Sequence, residues 1–105
     1  MSSFLIVDPD RNFREALAIA LRLDGHAVTG AERADEALAQ LEHGGQDCCV
    51  VDAHLWDADA VIDAAARAGI RTVLTGPYAD LLAHAARRHP AAEPIAKPFP
   101  AAALT

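Results

Sequence analysis

The sequence predicts an α/β domain in which a doubly wound, five-stranded parallel sheet carries helices on both faces. Short apolar runs alternate with helical patterns five times along the chain, and such alternation is typical of a parallel sheet. The runs are continuously apolar, as in strands that are buried on both faces. Its 105 residues, 52% of them hydrophobic, supply one small core. We therefore expect a single domain over residues 1–105.

The first strand and the first helix are predicted from the N-terminal 25 residues. The strand is the apolar run at residues 4–7, which ends at Asp8. Asn12 and Glu15 have the spacing of a capping box, which places the start of the helix there. Gly25 follows the last helical position and suits the left-handed conformation that ends many helices.

The other elements repeat this scheme. Asp57 or Asp59 can cap the third helix, and Gly76-Pro77 is expected to open the fourth, with proline in a tolerated first-turn position. A fifth helix is barely begun after Pro100, so we expect it to be largely missing. The remaining strands are predicted at residues 27–28, 48–51, 72–74 and 95–96, and the second helix over about residues 33–43.

Charge and cysteine content exclude several functional classes. A formal net charge of −6 disfavours direct nucleic-acid binding, which needs a basic face. Cys48 and Cys49 are neighbours on a predicted strand, point to opposite faces, and are interpreted as reduced core residues. The apolar run at residues 4–7 is too short for a signal peptide or a membrane span. We expect a cytoplasmic protein without membrane contact.

Polar residues stand at the ends of four predicted strands: Asp8, Asp52, Thr75 and Lys97, the only lysine of the chain. Ligands of open α/β sheets bind outside the carboxyl ends of the strands, so these side chains are expected to converge. Paired carboxylates suit a hard cation such as Mg²⁺. A carboxylate beside that cation can attack a phosphoryl group, and a lysine and a hydroxyl can hold the transferred oxygens.

These motifs resemble those of the response-regulator receiver domains of two-component signalling, over residues 4–99. The resemblance implies the flavodoxin-like receiver fold, with Asp52 as the phosphoacceptor and with Thr75 and Lys97 as contacts of the phosphoryl group. It implies metal ligation of Mg²⁺ by Asp8, Asp52 and the backbone carbonyl of His54, and a cis peptide bond after Lys97. The motifs that carry it are FLIVD at residues 4–8, VVD at 50–52, VLTG at 73–76 and KPF at 97–99.

Three departures set this chain apart from the family. Pro9 replaces the second acid of the family's pair, so we expect weak Mg²⁺ binding. Asp10 can partly substitute for that acid, but it can equally cap the first helix. Pro94 occupies the place of the family's switch aromatic. The short segment after Pro100 leaves incomplete the surface that the family commonly uses for dimerisation and output.

The favoured interpretation is a phosphoacceptor that is not itself an enzyme. Asp52 would receive a phosphoryl group from a sensor histidine kinase or a phosphotransfer protein. Output would pass by contact to a downstream protein target, and a homodimer stays open. The alternative is a pseudo-receiver that docks to a partner and is never phosphorylated. A small flavodoxin-like cofactor binder is disfavoured, since no glycine-rich phosphate loop is present.

Overall fold

The computed structural model describes all 105 residues and contains five strands, four α-helices and a final 3₁₀ turn. It confirms the predicted alternation and the near absence of a fifth helix. In chain order the elements are β1 (Ser3–Val7), α1 (Arg11–Leu23), β2 (Ala27–Ala31), α2 (Ala34–His43), β3 (Cys48–Asp52), α3 (Ala58–Arg67), β4 (Arg71–Gly76), α4 (Ala79–Arg88), β5 (Glu93–Ala96) and the turn Ala101–Leu104.

The strands form one parallel sheet in the order β2-β1-β3-β4-β5. From β1 the chain first moves outward to β2 and then returns to the other side of β1 to form β3. The direction of strand order therefore reverses between β1 and β3, and ligands of doubly wound sheets bind at the carboxyl ends beside such a reversal. Asp8 directly follows β1 and Asp52 is the last residue of β3, so the topology brings both carboxylates to that crevice.

The core consists of two apolar clusters, one on each face of the sheet. Successive side chains of β1 and β3 alternate between the clusters, and both strands are buried, which explains their continuous apolar sequences. Cys48 and Cys49 enter opposite clusters as free thiols. Burial raises the pKa of Cys48 to about 11 and that of Cys49 to about 12, so both stay protonated and unreactive at neutral pH.

The start of α1 differs from the predicted capping box at Asn12 and Glu15. Asp10 is the N-cap, and its Oδ1 accepts hydrogen bonds from the backbone N–H groups of Asn12 (3.0 Å) and Phe13 (3.2 Å). Asn12 lies inside the first turn, and Glu15 instead pairs with Arg11 at 2.9 Å. The prediction of Gly25 is confirmed, since it follows the helix with φ +89°.

Two further helix starts also differ from the sequence pattern. Pro77 lies outside α4, because β4 continues to Gly76 and Tyr78 occupies the N-cap position. Asp57 occupies the N-cap position of α3, but its side chain makes no capping hydrogen bond and its φ is +63°. None of the helices combines the length and the apolarity that a membrane span requires.

Candidate functional site

Lys97 joins the two carboxylates at the reversal point of the sheet. Its Nζ donates to Asp8 Oδ2 at 2.6 Å and to Asp52 Oδ2 at 2.9 Å. The lysine follows β5, at the edge of the sheet, and its long side chain crosses the end of β4 to reach β3 and β1. Three residues that were singled out by their positions at strand ends are therefore in direct contact.

The backbone around Lys97 is fixed on both sides. Its N–H donates to the carbonyl of Gly76 at 2.8 Å, which ties the residue to the end of β4. The Lys97-Pro98 peptide bond is cis, as the resemblance predicted. The side chain of Lys97 is only 15% exposed, so most of its surroundings are protein atoms.

The loops after β1 and β3 hold the other oxygen of each carboxylate. Asp8 Oδ1 accepts from the Asp10 N–H at 2.9 Å, and Asp52 Oδ1 accepts from the His54 N–H at 2.7 Å. Each carboxylate is thus bound by loop backbone through one oxygen and by Lys97 through the other. The two groups are oriented before any ligand arrives.

Burial dominates the electrostatics of Asp8, which is 1% exposed. Burial raises the pKa of Asp8 above its ordinary value, and the charge of Asp52 raises it further, against the hydrogen bonds from Lys97 and Asp10. For Lys97, burial alone would lower the pKa, but hydrogen bonds to Asp8 and Asp52 outweigh it and the pKa is raised. The ammonium group is therefore charged at neutral pH.

Thr75 brings a free hydroxyl to the same face. Its Cα is in register with that of Asp52, and Asp8, Asp52 and Thr75 all lie on the α1 side of the sheet by strand alternation. The residue is fully buried, and its Oγ1 has no hydrogen-bond partner. A buried unpaired hydroxyl is costly, so its presence at this strand end favours a role in binding an additional polar group.

The donor set for a metal ion is small but of the appropriate chemistry. No group of three or more His, Cys, Asp or Glu side chains is arranged to hold a metal. Asp8, Asp52 and the carbonyl of His54 remain, and Mg²⁺ sites in proteins commonly use one or two carboxylates. Asp10 is engaged as the cap of α1, and Lys97 binds the same carboxylates. These residues fit a divalent cation that is weakly held.

His54 and Trp56 lie in the β3–α3 loop beside the site. The His54 ring packs over Gly76, where an added Cβ would stand 3.7 Å from His54 Cδ2. Trp56 is 90% exposed and lines an open cleft together with Pro9 and His54. The loop thus connects the Asp52 carboxylate to an exposed aromatic surface.

Two aromatic residues belong to the site but were not predicted as such. Lys97 Nζ lies 4.2 Å from the ring centroid of Phe13, and the Phe13 and Phe99 rings pack edge to face with centroids 5.8 Å apart. The sequence pattern assigned Phe13 to the apolar face of the first helix, which is correct but incomplete. The only sequence signal for an aromatic neighbour of the lysine is Phe99, which lies two residues after Lys97.

By sequence, no protein-family model and no curated protein matches the chain. Comparison of folds gives many similar solved structures. A CheY-like receiver domain protein from Methanospirillum hungatei JF-1 is 26% identical with a TM-score of 0.84, over 99% of this chain and 87% of that one. TrrA from Thermotoga maritima, solved with Mg(2+)-BeF, is 25% identical with a TM-score of 0.80, over 94% of this chain and 89% of that one.

A third similar structure is a longer protein. It is a response regulator from Burkholderia pseudomallei with a phosphorylated aspartic acid, a calcium ion and citrate, 24% identical with a TM-score of 0.82. The match covers 99% of this chain but 64% of that one. The chain therefore has the fold of a CheY-like response regulator receiver domain, the family that its motifs resemble.

Proposed function

We propose that the chain is a phosphoacceptor receiver module, in which Asp52 takes a phosphoryl group from a sensor histidine kinase or a phosphotransfer protein. The observation that carries this proposal is the bridge from Lys97 to both buried carboxylates, with the unpartnered Thr75 hydroxyl on the same face. A purely structural ion pair would leave that hydroxyl unexplained. The chain acts as a signalling domain rather than as an enzyme.

The transfer is a displacement at phosphorus. A carboxylate oxygen of Asp52 forms the new P–O bond, and the bond from phosphorus to the donor's nitrogen or oxygen breaks, with its electron pair leaving on the donor atom. Lys97 contacts both carboxylates, and its positive charge offsets their repulsion of the anionic phosphodonor. Thr75 donates its hydroxyl proton in a hydrogen bond to an oxygen of the transferred group.

Asp8, Asp52 and the His54 carbonyl would hold Mg²⁺ in this module. The ion supplies positive charge against the phosphoryl oxygens when it is bound. Burial raises the pKa of Asp8, and positive charge from Lys97 or a bound cation favours the ionised carboxylate that holds the ion. Since only two protein carboxylates are present, we expect the ion to bind weakly.

Output follows from the change in charge and hydrogen bonding at Asp52. A phosphoryl group adds negative charge and acceptor oxygens, which engage Thr75 at the end of β4 and thereby bias the loop that leads into α4. A downstream protein, or a second copy of the chain, would bind the altered surface.

The test is intact-mass spectrometry after incubation with acetyl phosphate and Mg²⁺. We expect the addition of one phosphoryl mass that is labile to base, as acyl phosphates are. Asp52→Asn abolishes the addition, because an amide does not attack phosphorus in this way. Asp80→Asn, a matched change at an exposed carboxylate of α4, leaves it intact. Labelling that survives Asp52→Asn would reject the assignment of the acceptor.

A pseudo-receiver is the second candidate function. It is favoured by Pro9 in place of an acid, by Pro94 in place of the switch aromatic, and by the fact that every oxygen of Asp8 and Asp52 already has a partner. In that case the Lys97 bridge is a permanent part of the fold. Absence of labelling of the wild-type chain by any small phosphodonor would favour this candidate.

A further inference from the structure

We propose that Phe13 is a positioning residue for Lys97: the face of its ring holds the ammonium group at the two carboxylates, and Phe99 holds the ring. The inference deepens the proposed function and rests on it for its consequence in phosphotransfer. The positioning itself rests on contacts that are independent of that function.

Two carboxylates and one aromatic ring surround Lys97 Nζ. An ammonium group has three donors and no acceptor. Asp8 and Asp52 accept two of these hydrogen bonds, at 2.6 and 2.9 Å. The Phe13 ring, with its centroid 4.2 Å from Nζ, faces the group from a further side. Cations are attracted to ring faces within about 6 Å of the centroid, most strongly where water is excluded.

The backbone of Phe13 is held by the same loop that orients Asp8. The Asp10 N–H donates to Asp8 Oδ1 at 2.9 Å, and Asp10 Oδ1 accepts from the Phe13 N–H at 3.2 Å. The contacts therefore close a circuit that runs from Asp8 through Asp10 and Phe13 to Lys97 and back to Asp8. A displacement of any member would disturb the others.

Phe99 supports the ring from the other end of the chain. Its ring meets that of Phe13 with an interplanar angle of 61° and a centroid distance of 5.8 Å, within the range of favourable edge-to-face pairs. Phe99 lies two residues beyond Lys97, so one short segment provides both the cation and the support for its aromatic neighbour. Both rings pack against the apolar cluster on the α1 side of the sheet.

The functional consequence follows from which neighbours of Lys97 change during phosphotransfer. Asp52 becomes esterified, and Asp8 would be shared with a metal ion. Phe13 alone keeps its charge and its bonding throughout. The lysine side chain has a flexible four-carbon stem, and an ammonium group is a point charge without directional geometry of its own. The ring therefore keeps Nζ at one place while its anionic partners are exchanged.

The sole lysine allows a direct test. Protein grown with ¹³C,¹⁵N-lysine gives NMR signals from Lys97 alone, and protons above a ring face shift upfield. We expect Phe13→Leu, which keeps an apolar side chain, to abolish the upfield shift of the Lys97 Hε protons. The same substitution should slow labelling by acetyl phosphate by roughly two- to thirtyfold, the range that a cation–π contact allows. Phe13→Trp should restore both.

Two results would overturn the proposal. One is an unchanged Lys97 Hε shift in Phe13→Leu; the other is equal labelling rates in Phe13→Leu and Phe13→Trp, which would mean that only bulk matters. If the wild-type chain is not labelled at all, the proposed function fails while the NMR comparison still decides the positioning. Should Phe13→Leu not fold, Phe99→Leu is the second variant. It removes the edge contact, and we expect a partial loss of the shift; an unchanged shift would again contradict the proposal.

Discussion

Thr75 is the residue at which stability and binding make the most clearly opposite demands, because its buried hydroxyl has no hydrogen-bond partner. We expect Thr75→Val to raise the free energy of unfolding by about 1–2 kcal/mol, because it replaces a buried unsatisfied hydroxyl by a methyl group. It should also greatly reduce labelling of Asp52 by acetyl phosphate. Urea denaturation and intact-mass spectrometry measure the two effects.

Thr72→Val is the matched control in the same strand. Thr72 is also buried, but its hydroxyl donates to the carbonyl of Ile70 at 3.1 Å. The same substitution should therefore lower the free energy of unfolding, by about 0.5–1.5 kcal/mol. If both variants were destabilised equally, the Thr75 hydroxyl would have a partner and its assignment to phosphoryl binding would lose its support.

Pro9 offers a test of the metal-binding interpretation. Pro9→Asp places a third carboxylate next to Asp8, and hard-cation affinity rises with the number of charged ligands, so we expect Mg²⁺ to bind about tenfold more tightly. Isothermal titration calorimetry measures the change. Pro90→Asp makes the same substitution at the opposite end of the sheet, beyond α4, and should leave Mg²⁺ binding unaltered. Tight binding by the wild type, unimproved by Pro9→Asp, would assign the missing ligand to another group.

The site could be predicted in part from single residues. Asp8, Asp52, Thr75 and Lys97 were identifiable because each ends a strand, and strand ends of a parallel sheet share an edge. Phe13 was not, because its contact with Lys97 depends on how α1 packs over that edge. A helical apolar pattern gives the face of a helix but not the particular group that its first turn will cover.

Among the elements, the β3–α3 loop is the one we expect to report on the site. The His54 N–H is bound to Asp52, and Trp56 follows two residues later on the open surface. Mg²⁺ should change the indole fluorescence, and a beryllofluoride adduct should change it more strongly. Asp52→Asn should remove the second response and Asp8→Asn should weaken the first. A flat signal from protein that binds Mg²⁺ by calorimetry would mean that the loop is uncoupled from the site.

A contact that depends on pH joins α3 to His89, the residue that follows α4. His89 Nε2 lies 2.7 Å from Asp59 Oδ1, and this hydrogen bond lowers the pKa of Asp59 below its ordinary value. The folded state thus favours the ionised carboxylate. The stabilisation is present above the unfolded pKa near 4 and is lost as the pH falls through the lower folded value. Asp59 is 58% exposed, so we expect solvent screening to limit it to about 0.2–1 kcal/mol.

Asp59→Asn tests this contact. Its free energy of unfolding should fall below that of the wild type at pH 6. The difference should shrink toward zero at low pH, where the Asp59 carboxyl of the wild type is protonated in both the folded and the unfolded state. Asp63→Asn is the control, since Asp63 Oδ1 is 3.7 Å from His89 Nδ1, beyond hydrogen-bond distance. It should lower the free energy of unfolding by less than Asp59→Asn does. A loss in Asp59→Asn that is independent of pH would point to packing instead of charge.

The boundaries of the elements were less predictable than their existence. The second strand was expected at residues 27–28 but pairs with β1 through Ala31, because backbone pairing extends it where its side chains are mostly exposed. The cap of α1 is Asp10, although Asn12 and Glu15 have capping-box spacing. Strand pairing decides the end of β2, and hydrogen bonds from helix N–H groups to Asp10 decide the start of α1; the residue pattern alone contains neither.

At the scale of the whole molecule, strand alternation separates packing from chemistry. Odd and even positions of β1 and β3 point into the two different apolar clusters. On the α1 side, the next position along each strand after its last cluster residue is a carboxylate, Asp8 in one case and Asp52 in the other. A slip of one residue in either strand would turn that carboxylate to the other face. The register that fills the core therefore also assembles the site.

The segment after β5 closes the cluster on the α1 side with very few residues. Leu104, in the final 3₁₀ turn, is almost fully buried there, and Arg71 at the start of β4 donates to its carbonyl while pairing with Glu93 at 3.0 Å. We expect Leu104→Ala to lower the free energy of unfolding by about 2–5 kcal/mol, the usual cost of removing a buried leucine side chain. Leu23→Ala makes the same change at an exposed position at the end of α1 and should cost less than about 0.5 kcal/mol. Urea denaturation of the two variants compares them directly. Equal, small losses would mean that the turn does not stabilise this face of the sheet, and that α1 and the strands hold the site without it.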